Sequence, residues 1–332
     1  WSNEAEGLKH DPPSLNEFYR QFPRTESHAF RDESNESIFN LTKIYDQIEH
    51  NESLGPHLGV TRGNFHWKDG KKDTEVIWSP DNRSGRFYVS WHPPDELKNN
   101  VRKDGDKYYP GNKNLGGFGC DPYDIAGVVG GGGSKGALHG LTTSNLDDRV
   151  PSNKFVLEYI SRPATAEIFF EDCLMAIHYF GMPVLVENNK AGFLKHLLNR
   201  GYRAFSLDRP DKPKSQLSKS EKRIGGMPNT SEDTRQLHAS CVESYIEQYV
   251  GYDVMETYRG SEECGDMPFM RTLRDWASFD PFNRTKYDAT ISSGFAIIAT
   301  RKDIIKPPKE YNKISVPLYK YDNRGSQSKI IS

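Results

Sequence analysis

Apolar residues in this chain come in short runs, and three of those runs meet a carboxylate at one end. Gly117-Phe118-Gly119-Cys120-Asp121 is small and apolar until Asp121 and is broken by Pro122. A strand covered on both faces reads as a near-continuous apolar run, so this stretch predicts a buried strand ending on an acid. Pro183-Val184-Leu185-Val186-Glu187 repeats the pattern and ends on Glu187. Tyr287-Asp288-Ala289-Thr290 sets Asp288 just ahead of a helical stretch at 291–300.

The rest of the chain supplies a frame for these three elements. Residues 1–57 are polar, with helices predicted near 14–22 and 37–50. Two β-prone runs follow, Thr74-Glu75-Val76-Ile77-Trp78 and Arg86-Phe87-Tyr88-Val89-Ser90-Trp91, separated by the turn residues Asp81-Asn82-Arg83-Ser84-Gly85; they predict a β-hairpin or small meander. Strands are predicted at 137–142 and 155–160, then a helix from Pro163 to Gly181, a helix at 191–199, a strand at 202–207 and helices at 231–250 and 267–277. Three strands in meander followed by alternating units predict an α/β fold, a mixed sheet with helices on its faces. Residues 208–230 read as a long basic loop with a Gly225-Gly226 hinge, able to act as a gate over bound nucleic acid.

Composition narrows the function classes. At 332 residues and 35% hydrophobic, with mean hydropathy -0.77, the chain can form one large domain with long polar loops. It has no apolar run long enough to span a membrane and no signal-like N-terminus. The net charge of -2 means that nucleic-acid binding must come from local basic segments. Lys135, Lys212, Lys214, Lys219, Lys222 and Arg223 are the candidates, and a second basic-aromatic stretch at 98–114 suits phosphate contact or is a solvated loop. The four cysteines are far apart with no CxxC pair, which argues against a zinc site or a disulfide framework and fits reduced, intracellular thiols. A chain that starts on Trp1 reads as a fragment or a processed product.

Candidate chemistry follows from the acids. Gathered carboxylates repel one another unless cations neutralise them. Asp121, Glu187 and Asp288 at one end of a sheet would hold hard, oxygen-loving divalent ions, magnesium or manganese, and two such ions can drive an in-line phosphodiester displacement. Asp124 could assist through a water. Glu158 either points into the same cleft or pairs with a base such as Arg162. The tetraglycine 130–133 before Ser134-Lys135-Gly136 is not a phosphate-binding P-loop, which needs Gly directly before the Lys and Ser or Thr after it. It predicts a turn that brings 137–142 back antiparallel. His139, His178 and His196 could serve Ser/His/Asp chemistry, but no nucleophile elbow accompanies them, so packed or solvated histidines are expected.

In this order the motifs resemble the C-terminal nuclease domain of the large terminase subunit of tailed bacteriophages. The segment from Phe22-Pro23-Arg24 to Phe30 is similar to the end of the family's ATPase part. Gly119-Cys120-Asp121-Pro122 resembles the first catalytic strand, Val186-Glu187-Asn188-Asn189 the second, and Lys286-Tyr287-Asp288-Ala289 the third motif. The resemblance implies an RNase H-like fold with an N-terminal β-hairpin extension. It divides the chain into a tail of a preceding ATPase region (1–57), a hairpin lead-in (58–115), the nuclease domain (116–305) and a flexible tail (306–332). It implies catalytic, metal-binding roles for Asp121, Glu187 and Asp288 and two-metal-ion cutting of concatemeric phage DNA. It further implies portal-protein and small-terminase partners, and residence in the infected bacterial cytoplasm with transient docking at the procapsid portal. This chain has no P-loop, so only the cutting half is implied. Two alternatives remain at this level: another RNase H-like nuclease of resolvase or transposase type, and a non-enzymatic portal or capsid docking module.

Overall fold

The computed structural model describes residues 2–8, 12–24, 37–123, 135–252, 263–281, 284–301, 319–321 and 327–329. Its centre is a seven-stranded sheet. The strands are β1 (Thr61–Trp67), β2 (Val76–Pro80), β3 (Phe87–Val89), β6 (Gly116–Asp121), β7 (Gly136–Thr142), β8 (Phe155–Ser161) and β9 (Val184–Val186), and they lie in the order β2-β1-β3-β8-β7-β6-β9. A small separate hairpin, β4 (Val101–Asp104) and β5 (Lys107–Pro110), stands beside it, and β10 (Tyr319–Tyr321) pairs with β11 (Gln327–Lys329).

Strands β6, β7 and β8 form the expected antiparallel meander, with Asp121 opposite Ala137 and Leu138 opposite Tyr159. The chain then crosses through α4 (Ala166–Phe180) and returns as β9, parallel to β6 and on its far side. Thr165 caps α4 and Gly181 closes it in the left-handed conformation, so the chain leaves the helix where the apolar pattern stops. The sheet is thus mixed, with helices on both faces.

Two expectations change. The runs around 76–80 and 87–89 do not pair with each other; β1 lies between them and pairs with both. Strand β3 then pairs with β8, so this region continues the central sheet. Polar Thr61-Arg62 and Asn64 hid β1 from the sequence pattern, although Gly63, Phe65 and Trp67 form its buried face. The strand expected at 202–207 is a 3-10 turn, Arg203–Phe205, with one parallel bridge from Ser206 to Val184. Tyr202 and Phe205 are fully buried there, so their apolar pattern reports packing and not a ladder.

The two faces are packed differently. Phe118 and Cys120 of β6 and Val184 and Val186 of β9 face a core made with α4 and α5 (Gly192–Asn199), where Phe169, Phe180 and Phe193 are fully buried. On the other face lie α3 (Leu41–Leu54), α7 (Glu232–Tyr249), α8 (Met270–Ala277) and α9 (Asp288–Thr300), packed around Phe155, Leu185, Trp276 and Phe295. Helix α9 is buried on every side from Ala289 to Ile298. Its residues Ala289, Ser292, Ala296 and Ala299 are small, and it meets glycines on β6. A Cβ on Gly119 would lie 2.1 Å from both Ala296 N and Ser292 O, and one on Gly117 would lie 3.0 Å from Ala299 Cβ. Small residues on both sides let this helix lie directly on the strand. The N-terminal helices α1 (Ser2–Leu8) and α2 (Pro12–Gln21) and the short α6 (Lys219–Ile224) complete the described elements.

Candidate active site

Side chains alternate along a strand, so Asp121 shares the face of Gly119, and Glu187 shares the face of Leu185. Gly119 and Leu185 are register partners in the parallel β6–β9 pair. The ladder runs one residue further: Glu187 N–H donates to Cys120 O at 2.9 Å. Asp121 and Glu187 therefore leave adjacent strands at their C-terminal ends, on the same face. Helix α9 runs antiparallel to β6 over that face, with Ala299 over Gly117 and Ser292 over Gly119. This direction brings its first residue, Asp288, toward Asp121.

Asp121 is only 6% exposed, and its Oδ1 is buried with no hydrogen-bond partner among the described residues. Burial raises its pKa well above the usual carboxylate range, and the negative charges of Glu187 and then Asp288 push it further the same way, against Lys190. Glu187 Oε1 accepts from Asn189 Nδ2 at 2.9 Å, and Asp288 Oδ2 accepts from Lys135 N–H at 3.0 Å. The three acids that the sequence singles out thus act on one another electrostatically.

The donors are all carboxylate oxygens, which suits a hard divalent cation, and the orphaned Oδ1 of Asp121 is the kind of atom that such a cation satisfies. The residues fit magnesium or manganese as a donor set. Among the described residues no three His, Cys, Asp or Glu side chains close into a ligand group. The arrangement is a pair, Asp121 and Glu187, with Asp288 beside it and held by the Lys135 backbone.

The remaining candidates divide. Asp124 lies outside the described residues, as does the whole of the 25–30 segment. Glu158 is 2% exposed but is tied up elsewhere: its Oε2 accepts from Thr272 N and Oγ1 at 3.2 and 2.6 Å and stands 3.9 Å from His139 Nε2. Burial alone would raise its pKa, but His139, Arg271 and Thr272 outweigh it and leave it lowered. Its cationic partner is Arg271 at 3.8 Å, not Arg162. His139 bridges Ser292 Oγ and Thr272 Oγ1 at 2.7 Å each, fixing α8 and α9 to the sheet. His178 bonds Tyr202 Oη at 3.0 Å and is pushed down to about 4 by burial, and His196 sits 3.5 Å from Glu171. All three histidines pack.

Segment 208–230 is ordered at both ends. Ser218 and Glu221 form a capping box that starts α6, where Lys219, Lys222 and Arg223 are exposed. Lys212 and Lys214 are exposed beside a cavity of about 370 Å³, and Lys214 lies 3.8 Å from Asp208. Gly226 N–H donates to Leu207 O and Met227 N–H to Val186 O, so the segment joins the edge of β9 beside Glu187. The two glycines have φ +80, and a Cβ on Gly226 would lie 2.8 Å from Val186 O. Gly225-Gly226 is a close approach to the sheet edge, with φ values that favour glycine.

Three residues that sequence reasoning passed over also belong to the site. Lys190 lies close enough to oppose the raised pKa of Asp121. Arg284, in the 3-10 turn that leads into α9, feels the charges of Glu187 and Asp121 and donates to Asn229 Oδ1 at 3.0 Å. Lys190 stands three residues after Glu187, a spacing that could have flagged it. Nothing in the sequence around Arg284 or Asn229 marks either one. Comparison of the chain with protein-family models, curated proteins and solved structures finds no match.

Proposed function

We propose that this chain is a divalent-cation-dependent DNA endonuclease with an RNase H-like core, and that it cuts concatemeric phage DNA as the terminase resemblance implies. One observation carries the reading. Two acids end adjacent parallel strands, and a third opens a helix that small residues let lie directly across them. A cluster of negative charge that raises the pKa of a buried aspartate costs folding free energy, and it is retained most readily where a cation is to be bound.

In this reading Asp121, Glu187 and Asp288 hold the ions. Asn189 fixes the Glu187 carboxylate and the Lys135 N–H orients Asp288. Two divalent cations, when bound, would activate the attacking water and stabilise the leaving 3′ oxygen. The buried walls around Asp121 exclude bulk water and strengthen each charge interaction. The exposed Lys135, Lys212, Lys214, Lys219, Lys222 and Arg223 would follow the phosphate backbone. Portal protein and small terminase subunit are the partners that the resemblance adds to this proposal, with the host cytoplasm and the procapsid portal as its setting.

The test is cleavage of supercoiled plasmid with magnesium, manganese or chelator. Nicking and linearisation should require the ion and fall by at least about a hundredfold in Asp121→Ala, Glu187→Ala or Asp288→Ala. Cutting by the wild type in chelator, or full activity in all three variants, would remove the proposal. Comparable cutting of linear and supercoiled duplex is expected; a strong preference for branched DNA would shift the reading to a resolvase.

A further inference from the structure

Asp121 Oδ1 has a counterpart of opposite sign. Arg284 is half-buried; its Nη1 is occupied by Asn229, and its Nη2 is buried with no hydrogen-bond partner among the described residues. A buried polar group without a partner is costly, and more so when it is charged. One is an oxygen of the carboxylate pair itself, and the other is a nitrogen of a cation on which that pair acts. The carboxylates act on Arg284, yet its free nitrogen is bonded to neither.

Its surroundings keep it in place. Asn229 is 6% exposed and holds one edge of the guanidinium. Arg284 directly precedes α9, so it is anchored to the same element as Asp288. Arg235 and Glu232, in the first turn of α7, oppose each other in their effect on it. A carboxylate partner would have quenched this cation; an amide neighbour positions it and leaves its charge in force.

We propose that Arg284 Nη2 binds a non-bridging oxygen of the nucleic-acid phosphate lying over Asp121 and Glu187, which makes Arg284 the substrate-phosphate anchor of this site. The proposal rests on the nuclease reading for its choice of ligand. A phosphodiester suits the donor, because its oxygens accept from Arg284, while a divalent cation held by the carboxylates would satisfy Asp121 Oδ1. The planar fork of a guanidinium also matches a phosphate better than an ammonium does.

The experiment measures binding without cutting. A short fluorescent DNA duplex is titrated with the full chain in calcium, by anisotropy, over a range of salt. Arg284→Gln should weaken binding about tenfold and reduce the slope of log K against log salt by about one, the signature of one lost phosphate contact. Arg284→Lys should restore the slope and part of the affinity. Affinity and slope unchanged in a folded Arg284→Gln protein would overturn the assignment, as would a wild type that binds no duplex. Weaker binding with a lower melting temperature, and no rescue by Lys, would also overturn it, since Arg284 would then only support Asn229. The outcomes separate this proposal from its premise. A wild type whose binding depends on Arg284 but which never cuts sinks the nuclease reading alone. A wild type that cuts, with Arg284→Gln binding normally, sinks this proposal alone.

Discussion

Gly119→Ala tests most directly whether the site depends on a helix lying on a strand. The added methyl would sit 2.1 Å from Ala296 N and Ser292 O and 2.5 Å from Phe295 C. All three are backbone atoms of α9, so no side chain can rotate away. Ordinary contact begins at 3.4 Å, and the helix must retreat by about 1.3 Å, the difference between 3.4 and 2.1 Å. Overpacking of this kind costs about 1–3 kcal/mol, and the upper end is expected where backbone meets backbone. Asp288 travels with the helix. A displacement of about 1 Å in a reacting group can cost about a hundredfold in rate. Urea unfolding by circular dichroism should therefore show a lower midpoint, and plasmid cleavage should fall by about a hundredfold at urea-free conditions where the variant is folded. Gly117→Ala is the control on the same strand: its methyl meets Ala299 Cβ at 3.0 Å and the Ala299 backbone C and O at an ordinary 3.6 Å, and should cost about 1 kcal/mol or less. Equal midpoints and equal rates for Gly119→Ala and wild type would refute the close-approach argument and the placement of Asp288 that rests on it.

Two further predictions come from the acids. Asp275 accepts from Thr290 N–H and Oγ1 at 2.7 Å each, yet burial first, then Asp288 and Glu158, push its pKa up to about 6. An acid whose pKa is raised on folding holds more protons in the native state, so stability falls as pH rises from about 4 to about 6, by up to roughly 3 kcal/mol. Asp275→Asn should lose that part of the pH dependence in urea melts between pH 4 and 7; identical wild-type and variant profiles would contradict it. Because protons and cations compete for Asp121, whose pKa is raised by burial and by Glu187, calorimetric affinity for magnesium should rise with pH. Magnesium affinity that is flat between pH 5 and 8, or unchanged in Asp121→Asn, would separate Asp121 from the ion.

The sequence alone determined the elements that carry the acids. The apolar runs before Asp121 and Glu187 left little choice but buried strands, because only a strand covered on both faces is apolar throughout. The small residues after Asp288 marked a helix able to pack closely. Local chemistry also set some helix ends, as at Thr165, Gly181 and Ser231. What the sequence could not decide was pairing. Nothing local shows that β1 sits between β2 and β3, since register is fixed by long-range ladders. The strand expected at 202–207 failed for a related reason: burial of Tyr202 and Phe205 gives the same apolar pattern whether or not a ladder forms. Glu158 was drawn away from the site by Thr272, which comes from a distant helix. Arg284 became visible only in three dimensions, because an unpartnered nitrogen is a property of its neighbours and not of its residue type. The chain's pattern singled out the acids; only tertiary packing put Glu187, Asp288 and Arg284 within electrostatic reach of Asp121 or its partner acids.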